Sequence, residues 1–150
     1  MICSYISGRL GNQFFEYAYA RALQIARGGK DGLCFNFELV KGAGNAGQGF
    51  EDSLKYFKVN QYHVSDKNLV LVFGTFFQKI IYLLYQITNK LHIKLPWGPF
   101  LHRNGLLFYN YEEEPELIIP KSTNIVAYGK FGNPNVFESI KGITTVPLRF

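Results

Sequence analysis

Little in this chain would staple it, load it with metal or anchor it. Two cysteines, Cys3 and Cys34, occur in 150 residues. Both lie in apolar, strand-like surroundings, so buried free thiols are expected rather than a disulfide framework. The three histidines, His63, His92 and His102, stand far apart. None has the cysteine or carboxylate neighbours of a zinc site, so neither a metal nor a cofactor is expected. Charged residues make up only 18%, and the one acidic run is Glu112-Glu113-Glu114. That run reads as a solvated loop, because a glycosidase pair needs two carboxyls held at fixed separation across a bond. Long apolar stretches are also lacking. Residues 69–77 and 80–87 are apolar, but Gln78 and Lys79 divide them, and neither approaches the roughly 20 residues of a membrane span. An apolar strand begins at residue 2, which leaves no room for a signal peptide. The expectation is a cytoplasmic chain, with peripheral membrane contact left open.

What is present is a core-forming composition. Hydrophobic residues reach 47%, which excludes a disordered chain and suits one domain of ordinary size. Aromatics reach 17%, with 14 Phe and 10 Tyr. Most of these read as core, and the remainder as candidates for a sugar- or partner-facing groove. The net charge of +5 suits an anionic ligand. The cations are scattered along the chain and no nucleic-acid-binding signature stands out, so a nucleic-acid partner is not expected.

Along the chain, residues 2–6 read as a strand and 13–27 as a helix, with Phe14, Tyr17, Ala18, Ala22, Ile25 and Ala26 at helical spacing. Asn12 is the expected N-cap, Glu16 suits the first turn, and Gly28-Gly29 ends the helix. Residues 32–39 alternate, which predicts a second strand with one buried face. Strand, loop, helix and strand in this order make a βαβ unit and predict an α/β fold with a Rossmann-like parallel sheet. Residues 42–49 read as a glycine-rich surface loop, 51–57 as a short helix with Leu54 and Phe57 inward, and 125–128 as a strand. Residues 68–92 favour helix. Core packing is the commoner fate of such a segment, and a partner- or membrane-facing helix the sharper alternative. Pro96-Trp97-Gly98-Pro99 reads as a turn. Trp97 is read as a packing residue ahead of a sugar-stacking one.

The most informative feature is the junction Gly8-Arg9-Leu10-Gly11-Asn12-Gln13. Unpaired N–H groups at a helix start point toward an incoming anion. Glycine permits close backbone approach, Arg9 can fork onto phosphate oxygens, and Asn12 can cap or donate. The extended stretch Gly8-Arg9-Leu10-Gly11-Asn12-Gln13-Phe14-Phe15-Glu16-Tyr17-Ala18 resembles the N-terminal signature of the bacterial α-1,2-fucosyltransferases, glycosyltransferase family 11. Residues 128–137 resemble that family's later G-Y-F-Q-S-x-K-Y-F segment, with Gly132 in place of the usual Gln. The resemblance implies the first Rossmann-like half of a GT-B architecture, residues 1–150 being the N-terminal domain. It implies GDP-fucose as donor and a galactoside in surface polysaccharide or oligosaccharide synthesis as acceptor. Gly8, Arg9, Gly11, Asn12 and Gln13 would contact the donor.

The family's H-x-R-R-x-D element, whose arginines hold the GDP pyrophosphate, is not found. His102-Arg103-Asn104 is the nearest approach. The sequence therefore names no catalytic residue, and weak or no turnover is expected of this chain alone. A separate second domain or another copy of the chain would complete the site. The alternative is a non-catalytic carbohydrate- or partner-binding domain.

Overall fold

A strand in the middle of a parallel sheet is covered on both sides, and its residues become apolar or small on both. Strand β1 (Ile2–Tyr5) shows this: Ile2, Cys3 and Ser4 are all fully buried. The computed structural model describes residues 1–42, 50–109, 117–129 and 131. After β1 come α1 (Leu10–Ala26), β2 (Leu33–Asn36), α2 (Glu38–Gly42), a 3-10 turn (Leu54–Tyr56) and β3 (His63–Val64). There follow α3 (Leu69–Phe73), α4 (Phe76–Lys90), α5 (Trp97–Arg103), β4 (Leu106–Phe108) and β5 (Ile125–Tyr128). The five strands form one sheet in the order β3-β2-β1-β5-β4, every pairing parallel. The molecule is an α/β fold with a Rossmann-like sheet.

Alternating strand residues divide the core into two layers. Ile2, Leu33, Phe35, Leu107, Ile125 and Ala127 pack with Tyr19, Ala20 and Leu23 of α1. On the other face Cys3, Cys34, Leu106 and Val126 pack with Leu69, Val70, Ile81 and Leu101 of α3, α4 and α5. Helices thus cover both faces of the sheet. The expectation of one buried face for residues 32–39 is corrected. All four residues of β2 are buried, and Leu39 belongs to α2.

Cys3 and Cys34 are buried free thiols and register partners across β1 and β2. Residues 68–92 form two helices rather than one. Thr75 and Gln78 close a capping box that starts α4 immediately after the break at Gly74. Residues 96–99 are the start of α5 and not a turn, with Pro96 as N-cap and Pro99 in the first turn, where a missing N–H costs nothing. Phe57 is 46% exposed and not inward, while Leu54 is fully buried. The glycine-rich stretch 43–49, the acidic run at 112–114 and most of the segment 128–137 lie outside the described residues.

Candidate functional site

The carboxyl ends of the strands converge where β5 inserts beside β1. The chain runs outward from β1 through β2 to β3, then crosses to the far edge and returns through β4 to β5. In open parallel sheets the crevice at such a reversal is the usual ligand position. The loop leaving β1 opens onto it.

Gly8 has φ of 66°, a left-handed conformation that favours glycine. A Cβ there would also collide with the Asn12 carboxamide, which packs directly over it. Arg9, in extended conformation, precedes α1 and provides no side-chain cap. The first helical bond runs from Gln13 N–H to the Arg9 carbonyl. The N–H groups of Leu10, Gly11 and Asn12 therefore precede the helical ladder on an exposed turn. The expected start of α1 is corrected accordingly: the helix begins at Leu10, and Asn12 sits inside its first turn instead of capping it. The Arg9 guanidinium lies 5.2 Å from the centre of the Phe50 ring. Among the described residues, a Cβ on Gly11 would meet nothing within 4 Å, so their packing does not require a helical glycine that costs about 1 kcal/mol against alanine.

Gln13 is placed differently. It is fully buried, and its amide is engaged at both ends. Nε2 donates to the carbonyls of Gly8 at 3.3 Å and Glu51 at 3.0 Å, while Oε1 accepts from the Ser53 N–H at 2.9 Å. It fixes the loop from beneath and shows no surface to a ligand. Glu16, one turn on, is 1% exposed. Its carboxylate accepts from the Ser7 N–H at 2.7 Å and the Ser7 hydroxyl at 2.5 Å. Sequence reasoning assigned Glu16 to the helix dipole and missed this anchor. The available signal was a carboxylate on the same helical face as Gln13 and Ala20.

Beside the loop a cleft of about 780 Å³ opens at the ends of β1, β4 and β5. Tyr5, Tyr82, Tyr85, Trp97, Phe108 and Tyr128 line it together with the carboxamides of Asn68, Gln86 and Asn89. Tyr5 and Tyr128 meet edge-on at 5.8 Å, and Tyr85 and Trp97 at 6.1 Å. Trp97 is held by its Nε1–H donating to the Thr88 hydroxyl at 2.8 Å. A small recess bordered by Ser7 and Glu16 shares Tyr5, Leu39, Tyr109 and Tyr128 with the cleft, so loop and cleft adjoin. Aromatic faces with side-chain amides suit a sugar ring, apolar on its C–H faces and polar at its edge.

The structure thus brings Gly8, Arg9, Gly11 and Asn12 together, with Gln13 beneath. It leaves His102-Arg103 apart, in the last turn of α5, where the His102 ring approaches the Phe108 carbonyl at 3.1 Å. Among the described residues no cluster of three or more His, Cys, Asp or Glu could hold a metal ion. No protein-family model, no curated protein and no solved structure matches this chain.

Proposed function

We propose that this chain is the Rossmann-like half of a GDP-fucose-dependent transferase of the α-1,2-fucosyltransferase kind, in a GT-B architecture. The β1–α1 loop would receive the donor diphosphate. The observation that carries this reading is the exposed helix start at the carboxyl end of the central strand. It offers the N–H groups of Leu10, Gly11 and Asn12, with Arg9 at the N-cap position and exposed. In the proposed role Arg9 and Asn12 contact phosphate oxygens, Gly8 and Gly11 let the backbone approach, and Gln13 and Glu16 hold the loop in place. The neighbouring aromatic cleft is the place for a galactoside acceptor.

Inverting displacement at the fucose carbon leaves negative charge on the departing GDP, which preorganised donors and cations stabilise. Arg9 is the only cation in the loop. A second domain or a second copy would add the remaining positive charge.

Calorimetric titration with GDP tests the reading. The protein should bind GDP, and Arg9→Ala should weaken binding about 10-fold or more, the loss expected of a charge-assisted hydrogen bond to phosphate. An unchanged affinity in the variant would sink the assignment. The aromatic cleft favours a second reading, a carbohydrate-binding module without catalysis. That reading predicts oligosaccharide binding with no response to GDP.

A further inference from the structure

Helix α4 has its amphipathicity turned outward. Phe76, Phe77, Ile80, Leu83, Leu84 and Ile87 are 81%, 56%, 39%, 51%, 49% and 53% exposed. At ~100° per residue they share an arc of about 120°, and Leu91 at the C-cap, 63% exposed, extends the stripe. The inward face carries Gln78, Tyr82, Tyr85 and Thr88 around Ile81, and hydrogen bonds fix it there. Gln78 Nε2 reaches the carbonyls of Asn104 and Asn124, each at 2.7 Å, the Tyr82 hydroxyl accepts from Asn68, and the Thr88 hydroxyl accepts from Trp97. Rotating the helix to hide its apolar stripe would break all of these. The outward stripe is therefore built in, and a contiguous apolar face of this kind marks an interaction surface.

Charge identifies the occupant. From Lys67 to Tyr109 the sequence holds Lys67, Lys79, Lys90, Lys94 and Arg103 and no aspartate or glutamate, although the chain has 11 acidic residues. On the helical projection Lys79 and Lys90 flank one margin of the apolar arc. We propose that this face rests on an anionic lipid surface. The helix lies in the plane of the interface, with its Phe and Leu side chains at the headgroup boundary and the cations among the phosphates. A second copy fits the face poorly. A two-fold contact would bring Lys79 and Lys90 toward their counterparts with no acid in the segment to meet them. Spanning is a different matter. The helix has 15 residues, and among the described residues no helix is long and apolar enough to cross a membrane. Tyr82, Tyr85, Gln86 and Asn89 of the same helix line the cleft, so docking by α4 holds the cleft beside the lipid surface.

Flotation with vesicles tests this. The protein should float with mixed phosphatidylcholine–phosphatidylglycerol vesicles at least about 10-fold more tightly than with pure phosphatidylcholine, and raised salt should weaken it. Each cation near the surface contributes about fivefold, so Lys79→Gln/Lys90→Gln, which removes the two cations at the margin of the stripe, should lose more than about 10-fold. Phe77→Ser/Leu84→Ser should lose a similar amount. The substituted side chains are at least partly exposed, so both double variants should stay folded, which thermal unfolding checks alongside. Folded protein that does not float, or that binds both vesicle types and both variants alike, overturns the proposal. So does a wild-type dimer in sedimentation that Phe77→Ser/Leu84→Ser dissociates without any vesicle binding. The GDP titration reads a different surface, so failure here leaves the nucleotide assignment standing, and the converse holds too.

Discussion

Glu16 shows how one buried side chain can define a functional loop. Its carboxylate is 1% exposed and takes both the N–H and the hydroxyl of Ser7, the residue before the loop glycine. Truncation would leave the partly buried Ser7 N–H without this acceptor, so Glu16→Ala should cost about 1–3 kcal/mol in urea denaturation and weaken GDP binding as well. Loss of stability with GDP affinity intact would separate Glu16 from the loop's function. The two cysteines make a contrasting case. Each is fully buried, and they face each other in register. The hydrogen bond to Cys34, with burial, pushes the Cys3 thiol up, while the same bond draws Cys34 down. Because access and not acidity controls the reaction, neither thiol should be alkylated in the native protein and both should be in denaturant. Prompt labelling of the native protein at either position would contradict this packing.

Among the elements, α4 is held most tightly at its first turn. Thr75 and Gln78 cap each other, and the Gln78 side chain reaches across to the segment entering β5. Gly105, with φ of 80°, completes the knot, since a Cβ there would lie 2.7 Å from the Asn124 carbonyl and 2.9 Å from Gln78 Nε2. Gln78→Ala removes the donor to the partly buried carbonyls of Asn104 and Asn124 and should destabilise the protein by about 1–3 kcal/mol. A change below about 0.5 kcal/mol, the range of an ordinary surface substitution, would show that the network does not hold. This is also where the sequence reading reached its limit. β1, α1 and β5 were legible because apolar runs and glycines bound them. β3 and β4 were not, since strands of two and three residues carry no usable period and His63-Val64 is exposed. Helix over residues 68–92 was legible from an apolar-rich segment with polar breaks. The direction of the α4 stripe was not, because such a pattern does not show which side of a helix meets the sheet. At the site, the loop residues could be read from their types. Burial of Gln13 could not, because it depends on Glu51 and Ser53, far along the chain.

Across the whole molecule, α1, the amino terminus and the approach to β5 meet at one ion pair. Arg27 Nε donates to Asp31 at 2.7 Å, and its other nitrogens donate to the carbonyls of Ser122 at 2.6 Å and Thr123 at 3.0 Å. The Met1 ammonium meets the same carboxylate at 2.8 Å. Desolvation alone would raise the Asp31 carboxyl; the hydrogen bonds from Arg27 and the ammonium outweigh it and hold the group below its ordinary 3.8. The stabilisation is complete above that ordinary value and is lost as pH falls through the lowered one. Asp31→Asn should therefore flatten the acid limb of a stability–pH profile, and an unchanged limb would place acid sensitivity elsewhere. The same clamp ties the amino ends of β1 and β5 together, at the end of the sheet opposite the loop. An amide-resolved NMR titration with GDP reads the proposed nucleotide role of the β1–α1 loop residue by residue. The Leu10, Gly11 and Asn12 amides should shift first, and Arg9→Ala should move the midpoint of their response to about 10-fold or more higher GDP. Shifts confined to other surfaces, or none at all, would contradict that role.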